Sequence, residues 1–146
     1  MLLQWSKDLA VGHAIIDSDH QMLINIANEL DHSATSGAGQ EAIGLALSRL
    51  VTYIETHFQR EEALFLDSDY PHKDKHQKNH RDIEHLMNGF SQAYQTDPAT
   101  VELDKLLNFL KEWLVQHIGI LDKSYISHVK AVEKQRGQYN KRRGFA

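Results

Sequence analysis

The sequence predicts an all-α fold: an up-down-up-down four-helix bundle preceded by an irregular N-terminal arm. Only two prolines and eight glycines occur in 146 residues, so the longest stretches contain no residue that interrupts a helix. Apolar side chains recur at spacings of three and four residues in four such stretches, as they do on one face of an amphipathic helix. Short turn-forming segments separate the stretches, and helices joined by short turns pack as antiparallel neighbours.

The first half of the chain divides into the arm and two helices. The arm, about residues 1–15, is expected to be held to the bundle by three apolar side chains, Leu2, Trp5 and Leu9. A first helix is predicted over about residues 16–33, and the sequence Ser-Gly-Ala-Gly at 36–39 ends it. A second helix is predicted over about residues 41–66, where apolar residues again follow the helical period.

The second half divides into two more helices. A third helix is predicted over about residues 71–94, with Pro71 at its first position, where proline suits a helix. The fourth is predicted over about residues 99–132. Asp97 is the candidate N-cap before it, and Pro98 again stands at a first position.

The length of the chain fits one domain over residues 1–146, with the bundle at about 16–132. The remaining residues, about 133–146, form a tail rich in basic side chains. We interpret this tail as a solvated helix end in preference to a binding arm, although a protein partner at this end of the chain stays open.

Composition and charge exclude several classes of function. A net charge of −4 is too mild to indicate a nucleic-acid or membrane partner. No apolar run approaches the ~20 residues of a membrane span, and the N-terminus lacks the basic-then-apolar layout of a secretory signal. The chain has no cysteine, which excludes disulfides and thiolate metal sites. We therefore expect a cytoplasmic protein, and a monomer.

Polar residues interrupt the apolar stripe of every predicted helix on its core side. They are His20 in the first helix, His57 and Glu61 in the second, His76 and His80 in the third and His117 in the fourth. Buried imidazoles and carboxylates are retained when they are paired or hold metal. Two of the sets are i, i+4 pairs, whose side chains lie about 5–6 Å apart on one helical face. Either pair alone is more often chance, but both pairs with the two single histidines indicate a metal site.

Other histidines and one further carboxylate compete for the same assignment. His72 also lies four residues before His76, but its place directly after Pro71 suits a solvated role. Glu62 is five residues from His57, so we expect it to be rotated away from the metal. The remaining histidines are expected at the surface or beside the ligands; they are His13, His32, His85 and His128.

The ordered set His20, His57-x-x-x-Glu61, His76-x-x-x-His80 and His117-x-x-x-x-Asp122 resembles that of the hemerythrins, particularly the bacterial single-domain members. The similarity covers about residues 5–126. Flanking residues agree with the family pattern: Trp5, Gly12, Ile16, Asp17, Phe58, Glu62, Tyr70, Pro71, Trp113, Leu114, Ile118 and Tyr125. Three positions depart from it, namely His13 where an apolar residue is usual, Asp19 where glutamine is usual and Asp69 where glycine is usual.

The resemblance implies two iron ions joined by an oxo or hydroxo bridge and held by the seven matched residues. It places three histidines, His76, His80 and His117, on one iron and two, His20 and His57, on the other. Glu61 and Asp122 would bridge the two ions, which leaves one coordination position open at the iron with fewer histidines. Imidazole also suits zinc, copper and nickel, so iron itself rests on the resemblance.

The implied function is reversible dioxygen binding, for carriage, storage or delivery, without catalysis. An apolar pocket would limit the entry of water; its expected walls are Phe58, Trp113, Leu114 and Ile118. One alternative is an oxygen or redox sensor that acts on a partner or output domain through the fourth helix. Another is enzymatic: peroxide or nitric oxide handling, or iron donation for repair.

The spacing of the last two ligands predicts an irregular helix. His117 and Asp122 are five residues apart, which places their side chains ~140° apart on a regular α-helix. A π-type bulge between them would bring both onto one face, and such bulges are common at functional sites. Gly119 lies in this stretch and is a poor helix former, which would ease the distortion.

Overall fold

Helix α1 (Ala14–Thr35), helix α2 (Gln40–Phe65) and helix α3 (Lys73–Thr96) follow one another along the chain, each packed against the next. The computed structural model describes residues 1–142, and all its long elements are helical. Short turns reverse the chain between successive helices, so neighbours run antiparallel. The predicted four-helix class is confirmed.

The fourth rod of the bundle changes helix type along its length. It begins as helix α4 (Leu103–Gln116), continues as a π-helical segment (His117–Leu121) and ends as helix α5 (Asp122–Arg142). Helix α4 packs against α1, and α5 packs against α2. Two different parts of one rod therefore close the bundle.

Helix α1 begins at Ala14, two residues before the predicted start, because His13 acts as its N-cap. The His13 backbone is extended, and its Nδ1 accepts the Ile16 N–H at 3.5 Å. Asp17 fixes the approach of the arm, since its carboxylate accepts from the Val11 N–H at 2.7 Å. The arm itself contains one turn of 3₁₀-helix, Lys7–Leu9, so it is shorter and more ordered than the sequence predicted.

The predicted role of Pro71 is wrong. Helix α3 begins at Lys73, and Pro71 lies in the turn before it. The reason is Tyr70, which is buried and whose N–H donates to Ser68 Oγ at 3.2 Å, so the chain is held in a turn here. The chain needs the next two residues to turn before the helix starts.

The start of the fourth helix also differs from the prediction. Pro98 opens a separate 3₁₀ turn, Pro98–Thr100, and the α-helix begins only at Leu103. Asp97 does cap a helix, since its Oδ1 accepts the Ala99 N–H at 3.2 Å, but the helix it caps is the short one.

Two apolar clusters fill the interior and flank a buried polar layer. The larger cluster contains Phe58 of α2, while the smaller contains Phe65 of the same helix. Glu61 lies between these two phenylalanines on the buried side of α2. The polar residues predicted to face the core therefore lie between two apolar regions, shielded from solvent on both sides.

Helix α5 continues to Arg142, beyond the predicted end at 132, so most of the predicted basic tail is helical. Polar contacts hold its exposed part to the bundle. They join His128 to Asp69 at 2.6 Å, Glu133 to His13 at 2.9 Å and Arg136 to Asp67 at 3.0 Å. Arg143, which contributes to the predicted tail, lies outside the described residues. Within residues 1–142, no helix has the length and apolarity to cross a membrane.

Candidate metal centre

All four rods of the bundle contribute side chains to one buried polar cluster. The seven predicted ligands are among its members: His20 from α1, His57 and Glu61 from α2, His76 and His80 from α3, and His117 and Asp122 from the two ends of the π-helical step. Six are completely inaccessible to solvent, and His76 is 4% exposed. The structure therefore brings all seven together in the core.

The cluster divides into two groups that share their carboxylates. In one group the donor atoms of His76, His80 and His117 lie within 4.8 Å of one another and of both carboxylates, Glu61 and Asp122. In the other group, His20 and His57 meet the same two carboxylates within the same limit. Three histidines thus form one group with the carboxylate pair and two histidines form the other. The family resemblance implied the same grouping.

The imidazole Nε2 atoms point at the carboxylate oxygens from several directions. His57 Nε2 lies 2.5 Å from Glu61 Oε1, and His20 Nε2 lies 2.7 Å from Asp122 Oδ2. His117 Nε2 lies 3.1 Å from the first of these oxygens and 3.2 Å from the second. The donors of three different helices therefore converge on one small volume.

Several of these donor atoms fit a cation better than they fit each other. Some of the close contacts lack hydrogen-bond geometry. Atoms without a hydrogen-bond partner among residues 1–142 therefore include Glu61 Oε2, both oxygens of Asp122, and Nε2 of His76 and of His80. Orphaned buried groups cost about 1–3 kcal/mol each. A metal ion would accept electron pairs from all of them, so the residues fit a metal.

Burial keeps three of the histidines in the neutral form that binds metal. It lowers the pKa of His20 to about 3, that of His76 to about 4 and that of His80 to about 2. At neutral pH each therefore presents an unprotonated nitrogen, since a metal and a proton compete for the same lone pair.

The two shared carboxylates have opposite shifts. Burial alone would raise the pKa of Glu61, but His57 and His117 outweigh it and hold the pKa well below its usual range. Burial, with the negative charge of Glu61, raises the pKa of Asp122 well above its usual range. Two adjacent buried carboxylates disfavour each other's ionisation. A cation between them would remove this conflict.

A second layer of carboxylates holds two of the histidines from behind. His57 Nδ1 lies 3.0 Å from Asp19 Oδ2, and His80 Nδ1 lies 2.9 Å from Glu62 Oε2. A proton held on Nδ1 leaves the lone pair on Nε2, which faces the cluster. Glu62 is indeed turned away from the cluster centre, as the sequence predicted, but its contact with His80 was missed.

Both second-layer carboxylates also bind arginines, Arg60 at Asp19 and Arg81 at Glu62. Each arginine lies within one helical turn of a ligand, Arg60 after His57 and Arg81 after His80. This spacing is the signal in the sequence that could have indicated the contacts. Asp19 was noted only as a departure beside His20, whereas the structure places it on His57.

The π-helical step between the last two ligands confirms the predicted irregularity. The Asp122 N–H donates to the carbonyl of His117, an i to i+5 bond, and the five residues His117–Leu121 are π-helical. The step brings His117 Nε2 within 3.2 Å of Asp122 Oδ2. A Cβ on Gly119 would meet nothing within 4 Å, so no steric contact requires glycine there.

The predicted pocket residues are buried beside the histidines. Phe58, Leu114 and Ile118 are fully buried, and Trp113 is nearly so. The Phe58 ring stacks on that of His80, with centroids 3.8 Å apart and planes 4° apart. The Trp113 indole stacks on His117 at 5.1 Å. These rings therefore pack on the group with three histidines, while Phe58 also touches the other group at His57, 5.9 Å away.

The competing histidines lie outside the cluster. His72 is exposed and lines a surface cavity, in keeping with the solvated role predicted for it. His32 and His85 are exposed as well. His13 and His128 are half-buried and pair with carboxylates far from the cluster.

Comparison with known proteins agrees with this geometry. Residues 11–128 match the family model described as "Hemerythrin HHE cation binding domain". A bacteriohemerythrin from Stenotrophomonas maltophilia (strain R551-3) is 31% identical over 130 residues, which cover 89% of this chain and 83% of that protein. A myohemerythrin from Theromyzon tessulatum is 30% identical over 122 residues, which cover 84% of this chain and 89% of that protein.

A solved structure supports the fold in particular. The crystal structure of a wild-type hemerythrin superposes with a TM-score of 0.80 and covers 88% of this chain and 98% of that one, at 24% identity. The family match spans most of the chain and includes every residue of the buried cluster. The chain therefore belongs to the hemerythrin family.

Proposed function

We propose that this protein holds two non-haem iron ions and binds dioxygen reversibly, for carriage, storage or delivery, without catalysing a reaction. The observation that carries the proposal is the pair of donor groups that share Glu61 and Asp122. Two groups of histidines that share two carboxylates suit two adjacent metal ions. Membership of the hemerythrin family favours iron over the other metals that imidazole binds.

Each ligand has a distinct task in this proposal. His76, His80 and His117 would hold one iron, and His20 and His57 the other, and both groups would share Glu61 and Asp122. The group with two histidines offers fewer ligands, so dioxygen would bind there. When bound, a pair of ferrous ions supplies the two electrons that dioxygen accepts. The neutral imidazoles keep the centre less electron-rich than a carboxylate-dominated one, which favours holding dioxygen over cleaving it.

The side chains around the centre limit the entry of water. The apolar wall of Phe58, Trp113, Leu114 and Ile118 keeps solvent and anions from the centre. Tyr125 is a titratable residue beside His76, and it is fully buried. Burial, with the charges of Glu61 and Asp122, raises its pKa, so its hydroxyl keeps its proton at physiological pH. This environment suits a binding site better than an enzyme.

A sensor is the second candidate, and the shape of the fourth rod favours it. Asp122 is the first residue of α5, which runs without interruption from the cluster to Arg142. A shift at the carboxylate would therefore move one rigid element whose far end is exposed. An oxygen-dependent change in association or in partner binding would favour the sensor over the carrier.

The test is the stoichiometry of metal and gas. We expect about two irons per chain after anaerobic loading, and uptake of one dioxygen per pair of irons. One iron per chain, or none, would overturn the di-iron proposal. Two irons with continuous turnover of peroxide or nitric oxide, in the presence of an electron donor, would replace the binding function with an enzymatic one.

A further inference from the structure

Asp19 is a buried carboxylate that uses both oxygens, although it is not one of the predicted ligands. Its Oδ2 accepts from His57 Nδ1 at 3.0 Å and from Arg60 Nε at 2.8 Å. Its Oδ1 accepts from Arg60 Nη2 at 2.7 Å and from the Tyr53 hydroxyl at 3.0 Å. The arginine therefore binds the carboxylate bidentately, the geometry of the stronger charge-assisted pairs.

The chain of contacts runs from solvent to the cluster within a few side chains. The Arg60 side chain is 39% exposed, while that of Asp19 is 6% exposed and that of His57 is inaccessible. His57 Nε2 in turn faces Glu61 and Asp122. One exposed cation is thus linked through a single buried anion to a histidine of the two-histidine group.

His57 is the one histidine of that group held in this way. The other member, His20, has no hydrogen-bond partner on Nδ1 within the described chain. The electronic character of the two-histidine group therefore depends on a single outer contact, which makes Asp19 and Arg60 the places where the protein can adjust it.

We propose that Asp19 and Arg60 are opposing positioning residues that set the electron-donor strength of His57, and through it the oxidation-state preference of the two-histidine iron. This inference rests on the proposed function, since that iron is the one assigned to dioxygen. An anion that accepts the Nδ1–H raises electron density at Nε2 and favours the ferric state. A cation clamped on the same carboxylate withdraws part of that density, and burial strengthens both effects.

The two residues should therefore act in opposite directions when each loses its charge. Asp19→Asn keeps an oxygen that accepts from His57 but removes the negative charge, so the ferrous state should gain and the midpoint potential should shift upward. Arg60→Gln removes the opposing charge, so the ferric state should gain. A purely structural role would disturb the centre in the same sense in both variants, or not at all.

The experiment is a redox titration of the iron-loaded protein without oxygen, with iron content measured in each sample. The matched controls are Glu29→Gln and Arg49→Gln, which remove the same charges from an exposed pair 2.7 Å apart on the same two helices. We expect opposite shifts of midpoint for the Asp19 and Arg60 variants and no shift for the controls. Shifts of the same sign, or shifts no larger than in the controls, would overturn the inference.

A cobalt titration of the metal-free protein gives a second readout that needs neither iron nor oxygen. Asp19→Ala removes the acceptor altogether and should weaken the binding of Co²⁺ by about 10–100-fold, while Asp19→Asn should restore most of that affinity. Equal affinities for the wild type and Asp19→Ala would contradict the positioning role. A wild type that takes up two cobalt ions but no iron would count against the proposed function alone.

Discussion

Single residues carry the chemistry of this protein, because the metal site consists of side chains that would otherwise destabilise the core. A buried imidazole or carboxylate without a partner costs free energy, and the cluster contains several such atoms. The first prediction follows from the assignment of the histidines as metal ligands. His76→Ala and His117→Ala each remove a donor from the three-histidine group, so iron content should fall from about two per chain toward one or none.

The control for this prediction is His72→Ala, which removes an exposed histidine four residues before His76. Its iron content should equal that of the wild type, as measured by metal analysis after identical loading. Two irons per chain in both His76→Ala and His117→Ala would show that these residues are not ligands.

The second prediction concerns the apolar wall. Leu114→Ala should cost about 2–5 kcal/mol of stability, as for other buried leucines. It should also admit water to the centre and speed oxidation of the oxygenated protein several-fold, while both irons stay bound. Leu47→Ala is the matched control, since Leu47 is also fully buried in the larger apolar cluster. It precedes His57 by ten residues, which is about 15 Å along α2.

Chemical denaturation would measure the stability of each variant. The change in the visible spectrum with time would measure its rate of oxidation. Equal oxidation rates in Leu114→Ala and Leu47→Ala would mean that Leu114 does not form the wall of the oxygen site.

At the residue scale, the sequence predicted the ligands of the metal site but not the carboxylates that contact them from outside. The positions of His57, Glu61, His76 and His80 follow from helical period alone, because i, i+4 spacing fixes which face a side chain occupies. The contact of Asp19 with Arg60 joins two different helices. Its geometry depends on how α1 and α2 pack, which no spacing within one helix specifies.

At the scale of elements, the π-helical step links helix geometry to the site. Five-residue spacing between two ligands on one helix required an irregularity, so this feature was predictable from angles alone. Helix ends were less predictable. The burial of Tyr70 displaced the start of α3 from Pro71 to Lys73, and side-chain burial of this kind is a tertiary effect.

The third prediction tests what Gly119 contributes to the step. A Cβ there meets no atom within 4 Å, and alanine is about 1 kcal/mol better than glycine inside a helix. Gly119→Ala should therefore raise the free energy of unfolding by up to about 1 kcal/mol and keep both irons. Chemical denaturation and metal analysis of the variant measure both quantities. Loss of iron without loss of helix content would show instead that the π-helical backbone needs the freedom of glycine.

At the scale of the whole molecule, the far end of the last helix lies beyond the metal-site residues and contributes no predicted ligand. The fold class followed from four periodic segments and short turns, while the extension of α5 to Arg142 did not, because its exposed end has little apolar periodicity. Contacts such as that of Arg136 with Asp67 hold it in place instead.

The fourth prediction follows from this separation. Truncation after Arg136 keeps the contact with Asp67 and removes no predicted ligand, so iron content and oxygen affinity should stay unchanged. Metal analysis and oxygen titration would measure both. Loss of iron on truncation would contradict the assignment of the site to the bundle. Loss of an oxygen-dependent association, with the iron intact, would favour the sensor over the carrier.

Reversible dioxygen binding is the central claim, and repeated cycling of the reduced, iron-loaded protein between oxygen and argon tests it most directly. We predict a visible absorption band that appears with oxygen, disappears under argon and returns with undiminished intensity over several cycles. Conversion to a ferric form in the first cycle, with release of peroxide and no recovery of the reduced spectrum under argon, would contradict the claim.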